Sequence, residues 1–202
     1  MTIKTLALLS IYLCAGLCCP REEIDEEFVI DQGFVKHTVN PAGEKIASSD
    51  TLWVEGRISR MVYRPLKKDS ILRNYPPTTG LNVFHFRTPT QDTNCDPALS
   101  KMQIIEITGK ITSDTGNCTS GIGIELKEDG QFYRYKIGLV PTQAGDYTLK
   151  IWSNDTITNS DLHRNIAAKY PLPNQMQIGY NNCGSIGWND VNRKGDYSFT
   201  RL

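Results

Sequence analysis

The chain has few of the residues on which metal sites and acid–base catalysis depend. Its 202 residues include only three histidines, which are His37, His85 and His163 and lie far apart. No Cys-x-x-Cys pair occurs after residue 19. Because structural zinc needs four clustered thiolate or imidazole ligands, we expect no zinc site. We predict no bound metal and no cofactor.

The chain also lacks an excess of charge of either sign, with 22 basic and 22 acidic residues. Proteins that bind nucleic acid or anionic membranes through electrostatics usually carry a clear basic excess. The balance therefore predicts no nucleic-acid partner.

Motifs of common hydrolases are missing as well. Ser185 lies between Gly184 and Gly187, but this spacing differs from the Gly-x-Ser-x-Gly turn of a serine nucleophile. Acidic residues such as Glu106 and Glu125 alternate with apolar ones, so solvent-facing positions explain them without a carboxylate pair for glycoside hydrolysis. We predict a protein that is not an enzyme. A small secreted hydrolase is the less favoured alternative.

Only the start of the chain contains a long apolar run. Residues 5–17 are almost uninterruptedly apolar and follow the positive charge of Lys4. This length is typical of a secretory signal and is too short for a helix of about 20 residues that spans a membrane. We predict an export signal over residues 1–19. Cleavage after Gly16 would release a soluble secreted protein, which is one of the alternatives below.

Paired cysteines, Cys18 and Cys19, end this run, and an acidic cluster follows them: Glu22, Glu23, Asp25, Glu26 and Glu27. The arrangement resembles the export signal of Bacteroidota-type surface lipoproteins. The resemblance implies a lipidated Cys19 or Cys18, with acyl chains that anchor the protein to the outer membrane, on its periplasmic or surface face. A solvated linker in a soluble secreted protein is the alternative. A third alternative is a secreted eukaryotic domain, in which Asn117 and Asn154 would accept glycans.

Three further cysteines, Cys95, Cys118 and Cys183, fit an oxidising compartment. Since three is odd, at most one internal disulfide forms. Cys95 and Cys118 lie in similar polar segments on either side of the apolar residues 102–111. Either of them could also meet Cys183, and the sequence does not decide between these pairings. We favour a Cys95–Cys118 disulfide.

Alternating polar and apolar residues, separated by turn signals, predict a chain made almost entirely of strands. Only residues 160–170 have a helical pattern, which ends before Pro171. We predict an all-β fold, an antiparallel β-sandwich of immunoglobulin-like or related type with one short helix, over residues 50–202. Residues 20–49 would form an acidic tether with a leading strand. The predicted strands are 51–59, 81–86, 102–111, 121–127, 131–140, 147–152, 176–180 and 197–200.

Local motifs refine this picture. Asp129-Gly130 between two alternating runs predicts a tight hairpin. The run from Gly145 to Leu149 resembles a late strand of immunoglobulin-like sandwiches, which implies that the Tyr147 hydroxyl bonds back to nearby backbone. The run from Asp50 to Gly56 is similar to the first strand of small β-rich lipoproteins of the Bacteroidota cell envelope. That resemblance implies a location and a fold but no activity.

Aromatic residues are the best candidates for ligand contact. Tyr133 and Tyr135 share the strand face of Ile137, so we expect both in the core. Trp188 stands between small and polar residues, and we predict that it is exposed and binds a ligand. Polar loops 153–160 and 181–192 would surround it. The hypothesis is a non-catalytic envelope lipoprotein, held at the membrane by its lipid anchor, that binds a protein partner or a glycan.

Overall fold

The structure, a computed structural model, describes residues 35–112, 121–152, 155–159, 164–173, 177–182, 184–190 and 196–202. The predicted export signal with Cys18 and Cys19, the acidic cluster, Cys118 and Cys183 lie outside these ranges.

Strands dominate the described part of the chain. One short helix, α1 (Arg164–Ala167), and one 3₁₀ turn, Leu99–Lys101, accompany them. The strands are β1 (Lys36–Asn40), β2 (Lys45–Ile46), β3 (Leu52–Ser59), β4 (Met61–Arg64), β5 (Asp69–Leu72), β6 (Thr78–Phe86), β7 (Cys95–Pro97), β8 (Met102–Thr108), β9 (Lys110–Ile111), β10 (Gly121–Glu125), β11 (Lys127–Asp129), β12 (Phe132–Pro141), β13 (Gly145–Ile151), β14 (Thr156–Ile157), β15 (Gln177–Asn182), β16 (Ser185–Asp190) and β17 (Asp196–Arg201).

Two sheets pack face to face. The first sheet has the order β11-β12-β3-β1-β14, and β8 pairs with β12 beside β11. The second sheet has the order β16-β15-β7-β6-β13-β17-β2, and β10 joins it on β6 with β9 outside it. Strands β4 and β5 form a separate hairpin. The predicted all-β sandwich with one short helix is confirmed, while its immunoglobulin-like character stays a prediction.

The core between the sheets follows from the alternation seen in the sequence. In β3, Leu52, Val54, Gly56 and Ile58 are buried, whereas the residues that alternate with them are partly or fully exposed. Tyr133 and Tyr135 of β12 are buried, as predicted. Residues from both sheets form this one apolar cluster. Burial of each large side chain stabilises the fold by about 1.5–3 kcal/mol.

A smaller cluster covers the other side of the second sheet. Ile166 and Ala167 of α1 are buried there against Phe84 and Phe86 of β6. The shared face of Ile166 and Ala167 confirms the helical pattern predicted for this part of residues 160–170. Strand β6 is therefore covered on both faces, which explains its nearly continuous burial.

The segment 102–111 was predicted as one strand, and this prediction is wrong. Its first part, β8, pairs with β12 in the first sheet, while β9 pairs with β10 in the second. Gly109 separates the two parts with a φ of 90°. Only glycine adopts this backbone conformation without strain, so the chain turns from one sheet to the other at this residue.

The sandwich also begins earlier than residue 50. Strand β1 pairs with β3 over its whole length, and β2 pairs with β17. The side chains of Val39 and Ile46 lie in the core. Residues 36–46 are therefore part of the packed sheets.

The predicted β11–β12 hairpin is confirmed, but its turn lies one residue later than expected. Asp129 pairs with Phe132, so Gly130 and Gln131 form the two-residue loop. Gly130 has a φ of 61°. Glycine at the first loop position meets the requirement for a positive φ in such a turn.

The Tyr147 hydroxyl bonds back to nearby backbone, as predicted from the sequence. The buried side chain donates a hydrogen bond from the hydroxyl to the carbonyl oxygen of Gln143, at 2.8 Å.

A hydrogen bond of this kind makes a net contribution of about 1 kcal/mol to the stability of a protein. We expect Tyr147→Phe to lower the free energy of unfolding by about that amount in urea denaturation. The exposed Tyr75 offers a control, since Tyr75→Phe should change nothing, and equal stabilities of the two variants would contradict a role for this hydrogen bond.

Candidate functional site

Trp188 lies on strand β16 and not in a loop, so the predicted loop 181–192 is wrong over its described residues. Strands β15 and β16 form a regular hairpin in which Trp188 stands opposite Gly179. A Cβ on Gly179 would lie 3.0 Å from Cζ3 of the indole, so Trp188 packs over this glycine. The side chain is nevertheless 43% exposed. Its contact with a ligand stays a prediction.

Cys95 lies on β7 and is fully buried with a free thiol. Burial raises the pKa of this thiol, and the nearby charge of Asp96 raises it further. The thiol therefore stays protonated and is a poor nucleophile. Since Cys118 and Cys183 are outside the described residues, the Cys95–Cys118 disulfide stays a prediction.

Among the described residues, no three His, Cys, Asp or Glu side chains converge in a way that could hold a metal ion. The same part of the chain contains no helix with the length and apolar character needed to cross a bilayer.

The outer face of the first sheet carries four basic side chains in a line, which we call the basic row. Lys36 of β1 is directly opposite Arg57 of β3, and Arg57 is opposite Arg134 of β12. Arg134 is in turn opposite Lys127 of β11. All four residues are exposed. Directly opposed side chains lie about 5 Å apart, and like charges in such positions destabilise a sheet.

The strand alternation aims these cations outward. Their chain neighbours His37, Gly56, Ile58, Tyr133 and Tyr135 are buried on the core side. A shift of one residue in any of these strands would exchange the two sets. The buried neighbours therefore fix the basic row in its position.

Only part of the positive charge is compensated within the protein. An Nη1 atom of Arg134 lies 3.1 Å from Oδ2 of Asp129. The guanidinium groups of Arg57 and Arg134 lie over the ring of Phe132, at 5.7 and 5.5 Å from its centroid. Over the described part of the chain, Lys36, Arg57 and Lys127 form no ion pair with a carboxylate.

A shallow concavity of about 290 Å³ opens along the row, between Lys36, Arg57 and Arg134. Glu55 also lines it, but its carboxylate accepts a hydrogen bond from Nζ of Lys136, at 2.6 Å. Lys136 in addition lies over the ring of Trp53. The concavity thus has three cations on its wall, of which Lys36 and Arg57 form no ion pair with a described carboxylate, a combination suited to an anionic ligand.

A buried polar chain supports this face from below. Nδ1 of His37 lies 2.7 Å from the Tyr135 hydroxyl, and its Nε2 lies 3.3 Å from Oδ2 of Asp155. Burial raises the pKa of Tyr135, and the charge of Asp155 adds to this effect. A protonated hydroxyl that donates to Nδ1 leaves the hydrogen on Nε2, whose approach to Asp155 is an electrostatic contact without hydrogen-bond geometry. His37 is fully buried, so this chain holds β1 against β12 without access to a substrate.

Sequence reasoning missed both the basic row and the buried chain. His37 was noticed only as one of three scattered histidines. The alternation of Lys36, His37, Thr38 and Val39 contained a signal, since it places His37 on the apolar face with Val39. The four basic residues gave no signal, because they are far apart in the chain and only the strand register aligns them.

Comparisons of the chain with protein-family models, with curated proteins and with solved structures found no significant match. The geometry of the first sheet is therefore the basis for a functional proposal.

Proposed function

We propose that the protein is a non-catalytic lipoprotein of the cell envelope whose sandwich binds an anionic glycan on the basic row. The observation that carries this proposal is the line of four opposed cations, three of them without a carboxylate partner in the described chain. Such a line is unfavourable for the free protein. A ligand that supplies negative charge would remove this repulsion on binding.

The chemistry of the row favours a carboxylated or sulfated sugar chain. Guanidinium groups bind carboxylate and sulfate oxygens with paired hydrogen bonds. Phe132 supports the two guanidinium groups, which lie over its ring, and so helps to hold them on the outer face of the sheet. Nucleic acid fits less well, because the whole chain has no basic excess.

Attachment through Cys19 or Cys18 is the second part of the proposal. It is supported by the apolar residues 5–17 and by the acidic cluster after the cysteines. Palmitate labelling tests it, since wild type should take up label and a variant with serine at both cysteines should not. An unlabelled wild-type protein would favour the soluble secreted alternative.

Replacement of Arg57 at the centre of the row tests the binding site. We expect Arg57→Gln to weaken binding of an acidic oligosaccharide five- to tenfold, which corresponds to about 1–1.4 kcal/mol and lies between the values for exposed ion pairs and for hydrogen bonds to charged groups. Isothermal titration calorimetry with a heparin-derived hexasaccharide measures this change. Lys45→Gln is the matched control, since Lys45 is exposed on β2 of the second sheet.

The same titrations distinguish the alternatives. Equal binding by the Arg57→Gln and Lys45→Gln variants would exclude the basic row as the site. A neutral oligosaccharide of the same length that binds as tightly would exclude recognition of charge. Tighter binding of single-stranded DNA than of any acidic glycan would identify nucleic acid as the ligand instead.

A further inference from the structure

We infer that the acidic cluster of this same chain docks on the basic row when no ligand occupies it. The cluster consists of Glu22, Glu23, Asp25, Glu26 and Glu27, which lie outside the described residues. Docking of the acidic cluster requires only the basic row. Competition between the cluster and a glycan rests on the proposed function.

Charge complementarity is the first reason. The cluster has five carboxylates within six residues. The row has four cations, and Arg134 alone has a carboxylate partner among the described residues. No described carboxylate forms an ion pair with Lys36, Arg57 or Lys127, and the nearby Glu55 is bonded to Lys136, so the acidic cluster can supply the missing opposite charge.

The point at which the chain enters the sheet is the second reason. Lys36, the first residue of β1, is itself the first member of the row. The backbone N–H of Val35 donates to Oδ1 of Asp155, at 3.0 Å, and this bond fixes the entry point. The acidic cluster therefore joins the fold beside the end of the row.

The length of the connection is the third reason. Eight residues, 28–35, separate Glu27 from Lys36, and in extended form they reach up to about 28 Å. The row crosses three gaps between strands of about 4.8 Å each, so its far end at Lys127 is roughly 14 Å away. The cluster can thus reach every cation of the row without any change in the sheets.

The docked state must be weak enough to exchange with a ligand. Exposed ion pairs contribute little individually and are screened by salt. Because only residues 28–35 connect the cluster to the row, its effective concentration there is nevertheless on the order of millimolar. The segment would therefore act as a tethered competitor that selects for ligands with a higher charge density than its own.

Docking is tested first without any ligand. The full-length protein is compared with a variant in which all five acids are replaced, E22Q/E23Q/D25N/E26Q/E27Q, by NMR of the arginine Nε–H groups at low salt. We expect the resonances of Arg57 and Arg134 to differ between the two proteins at low salt. They should coincide at about 0.5 M salt, because salt at this concentration screens the attraction between surface charges. The control variant, E44Q/D92N, replaces the half-buried Glu44 and the exposed Asp92, which lie beside the second sheet. It should leave these resonances unchanged. Identical low-salt spectra of wild type and the five-acid variant would overturn the inference.

Titration of the same proteins with a heparin-derived hexasaccharide tests the competition. We expect the five-acid variant to bind about threefold more tightly than wild type at low salt, because the tethered competitor has been neutralised. Different spectra without any hexasaccharide binding would support docking and contradict the proposed function. Hexasaccharide binding of equal affinity, together with identical spectra, would support the function and contradict docking.

Discussion

Replacement of Asp155 by alanine is expected to lower the free energy of unfolding by about 2–4 kcal/mol, because it leaves two hydrogen-bond donors without their acceptor. Asp155 accepts hydrogen bonds from the backbone of Val35, at 3.0 Å, and from Oγ1 of Thr79, at 3.1 Å. It also faces Nε2 of His37, at 3.3 Å. Without the carboxylate, the Val35 N–H and the Thr79 hydroxyl lose their acceptor in a partly buried region, and the fully buried His37 loses the charge that it faces.

The size of this effect follows from the position of Asp155 between the sheets. His37 belongs to β1 of the first sheet, whereas Thr79 belongs to β6 of the second. One carboxylate thus connects both sheets and the entry of the chain into β1. Urea denaturation followed by circular dichroism measures the loss.

Two control variants separate this connection from a general effect of lost charge. Asp155→Asn keeps an acceptor oxygen and should lose less stability than Asp155→Ala. Asp92→Ala removes an exposed acid in the segment before β7 and should remain within about 0.5 kcal/mol of wild type. A decrease in the free energy of unfolding below about 1 kcal/mol for Asp155→Ala would contradict the role of Asp155 in connecting the two sheets.

Much of the fold could be predicted because apolar and polar residues alternate regularly in β3 and β12. Their apolar residues face the core, and the hairpin at Gly130 and the segment before Tyr147 carry local turn chemistry. These features depend on residues that are close together in the chain. Local patterns are therefore sufficient to find them.

Features that depend on long-range packing could not be predicted. The segment 102–111 is continuous in sequence, and only its partners β12 and β10 divide it at Gly109. The segment 177–190 is rich in glycine and asparagine, which have low strand propensity. Its strands are stabilised by Trp188 and Tyr180, which lie across from Gly179 and Gly187. Tertiary context overrides local propensity in both cases.

The basic row is the clearest example of this limit. Lys36, Arg57, Lys127 and Arg134 are spread over about a hundred residues, and each looks like an ordinary solvent-facing cation. Their alignment results from three separate strand registers. The registers of β1, β3 and β12 are set by the burial of neighbouring residues, and that of β11 by the turn at Gly130, so the row can be recognised only once the core and the turn are known.

Gly56 links the core to the basic row, and Gly56→Ala is expected to lower the free energy of unfolding by roughly 3 kcal/mol, at the upper end of the usual cost of overpacking. A Cβ at this position would lie 2.1 Å from Cε1 of Tyr135 and 3.0 Å from Nδ1 of His37. The Tyr135 ring cannot move aside easily, because it is buried and its hydroxyl is tied to His37.

The same substitution should weaken the proposed glycan binding, since Gly56 and Tyr135 are directly opposite one another beside the Arg57–Arg134 pair. Separation of β3 from β12 by an added methyl group would move the two guanidinium groups apart.

A second substitution, Tyr135→Leu, makes room for the methyl group. The double variant should therefore lose less stability than the sum of the losses of the two single variants. Gly43→Ala is the control, because its Cβ would meet only the carbonyl oxygen of Lys45, at 3.5 Å. Full stability of Gly56→Ala, or a strictly additive double variant, would show that the Tyr135 ring does not fill the space above this glycine.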